Sequence, residues 1–372
     1  MLLFTPGPTP VPEAVRMAMA GPTIHHRTPE FEAIFKEARA RLMRLFGMEE
    51  CVMLASSGTG AMEACVTNLC FKKALTVNAG KFGERFGKIV EAFGLDHVEL
   101  KYAWDTPASV EDVQAALMDD PDIDALCIQV CESAGGLRHP VEKIAAAAKA
   151  INPDIMIIAD GITAVGVEPI DTTNIDALIA GSQKALMLPP GMAMIGFSDA
   201  AVKRVGEGRG YYFNLASEIK KQRQNTTAYT APTTLVIGLN KMLGMIEEKG
   251  EDIFYLQTRA RALATRAALE AIGCQLFPRT PALSMSAVYD EESNAVRDIL
   301  KSEFDVNIAG GQDHLKGKLF RINQMGLIGV HESAWVVNAV EWAYDKLDRR
   351  AYDGTASRIF NEVYYANMGQ SV

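Results

Sequence analysis

The sequence predicts an α/β fold: a mostly parallel seven-stranded sheet layered with helices, followed by a smaller C-terminal α+β domain. Three observations carry this. Seven short apolar runs alternate with helix-period segments between residues 51 and 198. The runs are nearly continuous rather than alternating with polar residues, as strands buried on both faces must be. After about residue 230 the alternation gives way to two long helical segments and sparser strands.

The chain opens on the proline-rich "MLLFTPGPTP". Thr28-Pro29-Glu30 then reads as the N-cap, first-turn proline and first-turn carboxylate of a helix reaching Phe46. "CVMLA" (51–55) precedes a helix over 59–70, and "ALTVN" (74–78) precedes "KFGERFGKIVEAFG". "HVELK" (97–101) leads into "SVEDVQAALM", and "DALCIQV" (124–130) into "PVEKIAAAAKAI". "IMIIAD" (155–160), "DALIAGS" (176–182) and "MAMIGFS" (192–198) complete the seven strands. Helical segments over 232–249 and 251–272 come next, then the strands "LSMSAVY" and "KLFRIN" and a helix-compatible tail, 351–372. The division expected is an N-terminal segment, 1–20, bordering the active site, a large domain over 21–250 and a small one over 251–372.

Composition narrows the function. A net charge of −9 and a pI near 5.3 argue against nucleic-acid binding, which needs clustered Lys and Arg. No apolar stretch approaches the roughly 18 residues of a membrane span. The opening residues have no basic region and too short an apolar run for a signal peptide. The six cysteines include no C-x-x-C pair and no histidine at metal spacing, so neither a metal site nor a disulfide framework is expected, and a reducing cytoplasm is the simplest home.

Ligands of open α/β sheets bind at the C-terminal strand ends, so the residues after each apolar run matter most. After "CVMLA" comes "SSGTGAMEA", two glycines flanking a hydroxyl at a helix start, which suits an anion. Glu63 stands where a dinucleotide fingerprint needs its last glycine, so a single phosphate fits better than a pyrophosphate. "IMIIAD" ends in Asp160, a carboxylate that needs a cationic or donor partner if buried. In "ALIAGSQKALMLPPG" one lysine, Lys184, stands between apolar runs and is closed off by Pro189-Pro190-Gly191. A phosphate cradle, a buried carboxylate and a desolvated lysine are what pyridoxal phosphate requires: an anchor, a partner for its ring nitrogen and an amine to bond it.

These motifs, "SGTG", "CES", "ADG" and "GSQKAL…PPG" in that order, resemble the class V, fold type I pyridoxal-phosphate aminotransferases, the alanine–glyoxylate and serine–pyruvate group above all. The likeness extends from "TPGPTPVP" and "HHRTPEFE" to "KLFRI" and covers most of the chain. It implies Lys184 as Schiff-base lysine and proton shuttle, and Asp160 as partner of the ring nitrogen. Thr59, Gly60 and Ala61 fall on the phosphate turn, where the family often has Ser-Gly-His, so alanine can offer only its N–H. Gln183 falls on a further phosphate contact, Phe82 on the aromatic that stacks on the ring, and Ser133 on a hydroxyl beside it. Thr230 matches a threonine reaching the phosphate from the second subunit of a homodimer, although Thr227 replaces the tyrosine often found before it. Arg321 matches the arginine that holds the substrate carboxylate, with Gly7 beside the substrate and Pro6 to Pro8, His25, His26 and Arg27 around the mouth. The function implied is transfer of an amino group from a small amino acid, such as alanine or serine, to a 2-oxo acid, such as glyoxylate or pyruvate. Aspartate, phosphoserine, ureidoglycine and 2-aminoethylphosphonate are alternative donors. A lyase or desulfurase is a rival on the same fold, disfavoured because Cys274 lies at a helix end entering a strand. A nucleotide-holding regulatory protein is a rival from another class, and it leaves Lys184 unexplained.

Overall fold

The strands at the centre of the large sheet are buried at every position, which is why their sequence shows no polar alternation. The computed structural model describes residues 1–369. In chain order the first five strands are β1 (Leu2–Phe4), β2 (Glu50–Leu54), β3 (Lys73–Asn78), β4 (Asp96–Lys101) and β5 (Ile123–Gln129). A short hairpin of β6 (Cys131–Glu132) and β7 (Leu137–Arg138) follows, then β8 (Met156–Asp160), β9 (Ala177–Gly181) and β10 (Ala193–Phe197). The second half supplies β11 (Gln275–Leu276), β12 (Met285–Tyr289), β13 (Val306–Gly310) and β14 (Leu319–Asn323).

Seven strands form one sheet in the order β2-β10-β9-β8-β5-β3-β4. Every pairing is parallel except the two made by β10. No crossover helix joins β9 to β10, so the chain can return only in the antiparallel sense. At the edge, β4 carries Asp96, His97, Glu99 and Lys101, charges and an imidazole that discourage further strand pairing.

Helices cover both faces. On one, Phe31, Phe35, Leu42 and Phe46 of helix Pro29–Phe46 pack with Ile144 and Leu239 from helices Val141–Ile151 and Thr233–Lys249. Each fully buried phenylalanine contributes roughly 1.5–3 kcal/mol. Thr28 caps the first of these helices by accepting the Phe31 N–H at 3.4 Å, and Gly47, at φ 62°, ends it. On the other face lie helices Gly58–Leu69 and Lys81–Ala92, with Met62, Phe86 and Ile89 in the core. Among the described residues, no helix is long and apolar enough to cross a membrane.

The second sheet runs β1-β13-β14-β12-β11. Helices Glu251–Ala271, Val330–Lys346 and Thr355–Met368 pack on it through a core of Phe320, Ile322, Val337 and Phe360. Phe4 joins that core because β1 pairs in parallel with β13, Leu2 opposite Val306 and Phe4 opposite Ile308. The opening segment therefore does more than border the site: it starts as a strand of the small sheet. Three residues are too few to reveal a strand period.

Candidate active site

The loop after β9 shapes the surroundings of Lys184. Ser182 closes it: its Oγ donates to the Pro189 carbonyl at 2.8 Å and accepts the Met192 N–H at 3.2 Å. The N-terminal segment fixes the near side, with the Thr9 N–H on the Gln183 carbonyl at 3.0 Å and the Thr9 hydroxyl on the Lys184 carbonyl at 2.7 Å. The Lys184 amine donates to the Pro6 carbonyl. Gly7, at φ +110°, lies so close that a Cβ there would come within 2.6 Å of Nζ. Lys184 keeps some accessible surface because it faces a cavity, yet protein surrounds its amine. That desolvation pushes its pKa down to about 8, the Arg321 cation acts in the same direction, and Asp160 opposes both.

Asp160 ends β8 and is buried, accepting the Ile162 N–H at 3.0 Å. Burial pushes its pKa up to about 6, against the pull of that N–H and of the Lys184 and Arg85 charges. Beyond β5, the β6–β7 hairpin brings Cys131 of its first strand and Ser133 of its turn to the same cavity. Glu132, between them, turns inward. Its two oxygens accept N–H groups of Phe82 and Gly83 at 2.9 Å and of Ala134 at 3.0 Å, joining this turn to helix Lys81–Ala92. Desolvation raises the Glu132 pKa to about 7, opposed by those three donors.

The glycine turn forms the opposite end. Helix Gly58–Leu69 makes its first intrahelical bond from Ala61, whose N–H reaches the Ser57 carbonyl at 3.2 Å. The N–H groups of Gly58, Thr59 and Gly60 precede that bond and remain for a ligand. This corrects the expectation for Ala61: it is fully buried and its N–H is already used. Gly60 is buried behind the turn, where a Cβ would strike Ser56 Oγ at 2.0 Å and Phe213 at 2.8 Å. Thr59, Phe82, Ser133, Asp160, Gln183 and Lys184 all line one cavity of about 170 Å³. Arg85 lines it as well, a residue that sequence reasoning missed because it reads as one polar position of an amphipathic helix. A larger cleft of about 630 Å³ lies against β4, but both of its lysines, Lys88 and Lys101, are exposed, and Lys88 pairs with Glu84.

Arg321, on β14 of the small sheet, reaches the β6–β7 hairpin: it donates to the Ser133 carbonyl and, at 2.7 Å, to the Gly310 carbonyl. Burial lowers its pKa to about 10, with Glu132 opposing. Thr230 is exposed on the loop before helix Thr233–Lys249, and the neighbouring Thr227 is buried with its hydroxyl on the Tyr229 carbonyl. The His25 and His26 rings lie 4.6 Å apart, tilted by 38°, and His25 supports the Thr28 cap through its carbonyl at 2.9 Å. Cys274 is buried, donates to the Tyr344 hydroxyl at 3.2 Å, and has its pKa pushed up to about 12 by desolvation, the opposite of a mobile nucleophile.

The sequence matches the family described as aminotransferase class V over residues 2–313. An uncharacterized aminotransferase of Helicobacter pylori strain 26695 is 50% identical over 367 residues, covering 98% of this chain and 100% of that protein. A serine–glyoxylate aminotransferase of Methylorubrum extorquens is 29% identical over 87% of this chain and 86% of its own. Among solved structures, a Thermus thermophilus aspartate aminotransferase of subgroup IV superposes with a TM-score of 0.86 at 29% identity, over 98% of this chain and 100% of that one. Family match, relatives and fold type I architecture all span both the glycine turn and the Lys184 loop, and the chain belongs to the class V aminotransferases: it is a transaminase.

Proposed function

We propose that this transaminase binds pyridoxal 5′-phosphate in the cavity of about 170 Å³ and passes an amino group from a small amino acid, alanine or serine, to glyoxylate or pyruvate. One observation carries the reading: a lysine amine held near pKa 8 and a buried carboxylate face the same cavity, whose far end offers free helix N–H groups. The residues fit the cofactor. The donors of Gly58, Thr59 and Gly60, with the Gln183 side chain, suit its phosphate. Asp160 suits a protonated ring nitrogen, Phe82 the ring face, and Ser133 the ring edge. When bound, the cofactor supplies an electron sink for the carbon that loses its proton.

The chain's own groups do the rest. Lys184, with its depressed pKa, is neutral for a useful fraction of the time near pH 8, so its Nζ can bond the cofactor and later accept and return the substrate's α-proton. Asp160 would hold negative charge toward a protonated ring nitrogen. Arg321 binds the substrate carboxylate with a guanidinium already oriented by two backbone carbonyls. Pro6 and Gly7 cover the amine and restrict water at it. The serine–glyoxylate relative supports the choice of donor and acceptor. We place Thr230 in the site of the partner subunit of a homodimer, a reading supported by its exposure and by the exposed aromatic rings of Tyr211 and Tyr212 nearby. Six free, buried cysteines suit the cytoplasm.

The test has two arms. Borohydride reduction in the presence of pyridoxal phosphate should leave a stable mass increment on Lys184. A half-reaction screen over single amino acids, followed by cofactor absorbance, should respond most strongly to alanine or serine. Absence of the increment defeats the cofactor reading, and a dominant response to aspartate or phosphoserine defeats the donor.

A further inference from the structure

Arg85 lies on the first turns of helix Lys81–Ala92, and its guanidinium enters the cavity. One Nη donates to the Thr59 hydroxyl at 2.9 Å, and its carbon lies 4.7 Å from the centre of the Phe82 ring. It forms no ion pair among the described residues. Asp160 acts on it only through space: its acidity feels the Arg85 charge, but no hydrogen bond joins the two.

The helix terminus beside Thr59 disfavours a cation, and Asp160 offsets this only through space. Thr59 is in the first turn of helix Gly58–Leu69, where the helix dipole is positive and unpaired N–H groups repel a cation. A guanidinium held there gains from an anion that satisfies it and the helix terminus together. The turn has no other charge to offer: Ala61 has no polar side chain, and its N–H is bound to Ser57. Lys184 and Arg85 are the two cationic side chains on the cavity wall among the described residues, and the Lys184 amine is already engaged by the Pro6 carbonyl.

We propose that Arg85 is the charged partner of the cofactor phosphate in this enzyme, neutralising the dianion beside Thr59 while its stacking on Phe82 holds the ring-binding wall to the phosphate-binding turn. The inference rests on the pyridoxal-phosphate reading of the site. It gives Arg85 a binding and positioning role, with no part in proton transfer.

Pyridoxal, which lacks the phosphate, separates this role from support of the fold. Cofactor-free protein, unaltered or carrying Arg85→Gln or Arg85→Lys, is titrated with pyridoxal phosphate and with pyridoxal, following absorbance and tryptophan fluorescence. Arg85→Gln should weaken pyridoxal phosphate by about 10- to 100-fold, the range of a charge-assisted hydrogen bond, and shift pyridoxal by less than about twofold. Arg85→Lys should recover part of the loss. Inorganic phosphate should slow cofactor uptake by the unaltered protein and do so less with Arg85→Gln. Equal weakening of both ligands, or unchanged affinity for pyridoxal phosphate, overturns the proposal. So does an altered KM for a dicarboxylic amino acid with cofactor affinity intact, which would move Arg85 to the substrate side. Borohydride trapping on the unaltered protein keeps the two levels apart. Trapping at Lys184 together with unchanged Arg85→Gln affinity defeats only the Arg85 role, while no trapping defeats both.

Discussion

Replacing Gly7 by alanine tests whether the N-terminal segment positions the Lys184 amine. The added methyl would meet Lys184 Nζ at 2.6 Å, Cδ at 2.7 Å and Cε at 2.8 Å, whereas ordinary contacts begin at 3.4 Å. The lysine tip must therefore retreat by roughly 0.8 Å, and a misplacement near 1 Å costs up to about a hundredfold in rate. The backbone adds a second cost, because φ +110° strains any residue with a Cβ by about 1–3 kcal/mol. Gly94→Ala is the control: its φ is +66°, but nothing lies within 4 Å of the new methyl. Both variants should melt earlier than the parent. Only Gly7→Ala should lose kcat, by about 10- to 100-fold in single-turnover assays with saturating cofactor. A Gly7→Ala enzyme with parental kcat refutes the reasoning, as does a loss of activity that merely follows the loss of stability in both variants.

Two further outcomes follow from the same loop. Between pH 8 and 10.5 the unfolded chain holds the Lys184 proton while the folded chain has released it, so this group's contribution to stability rises with pH across that window and is at its worst below it. Lys184→Met removes the cost. In urea melts of cofactor-free protein it should be more stable at pH 7 by on the order of 2–3 kcal/mol, with the advantage closing as pH climbs; a pH-independent gap would contradict this. Ser182→Ala leaves the Pro189 carbonyl and the Met192 N–H without their shared partner, a loss of about 1–3 kcal/mol. Hydrogen exchange at Met192 should accelerate, and unchanged protection there would show that the hydroxyl does not hold the loop.

Features that depend on neighbours in sequence were legible before the fold. Apolar runs closed by turns mark the strands, and a carboxylate ending such a run, or a lysine between two of them, stands out because burial makes charge expensive. Features made by distant contacts were not. Glu132 reads as one acid in a turn until Phe82 and Gly83, fifty residues earlier, are seen to donate to it. Arg85 has the spacing of a solvent-facing helix residue, and only the meeting of two helix N-termini puts it on Thr59. Ala61 shows how fine the boundary is: with the helix beginning at Gly58, the Ala61 N–H falls just inside the first intrahelical bond. The reversal of β10 was hidden because an apolar run carries no record of its direction.

The pairing of β1 with β13 gives the enzyme a lever arm. Leu2 to Phe4 belong to the small sheet, whereas Thr9 is fastened to the carbonyls of Gln183 and Lys184 in the loop after β9 of the large sheet. Between those anchor points only residues 5–8 span the boundary, and two of them, Pro6 and Gly7, form the roof over the lysine amine. Any swing of the small sheet is thus transmitted through one short tether to the atoms that shield Nζ. A rotation of the small sheet that parted Arg321 from the Ser133 carbonyl would therefore also draw the Pro6 carbonyl off the Lys184 amine.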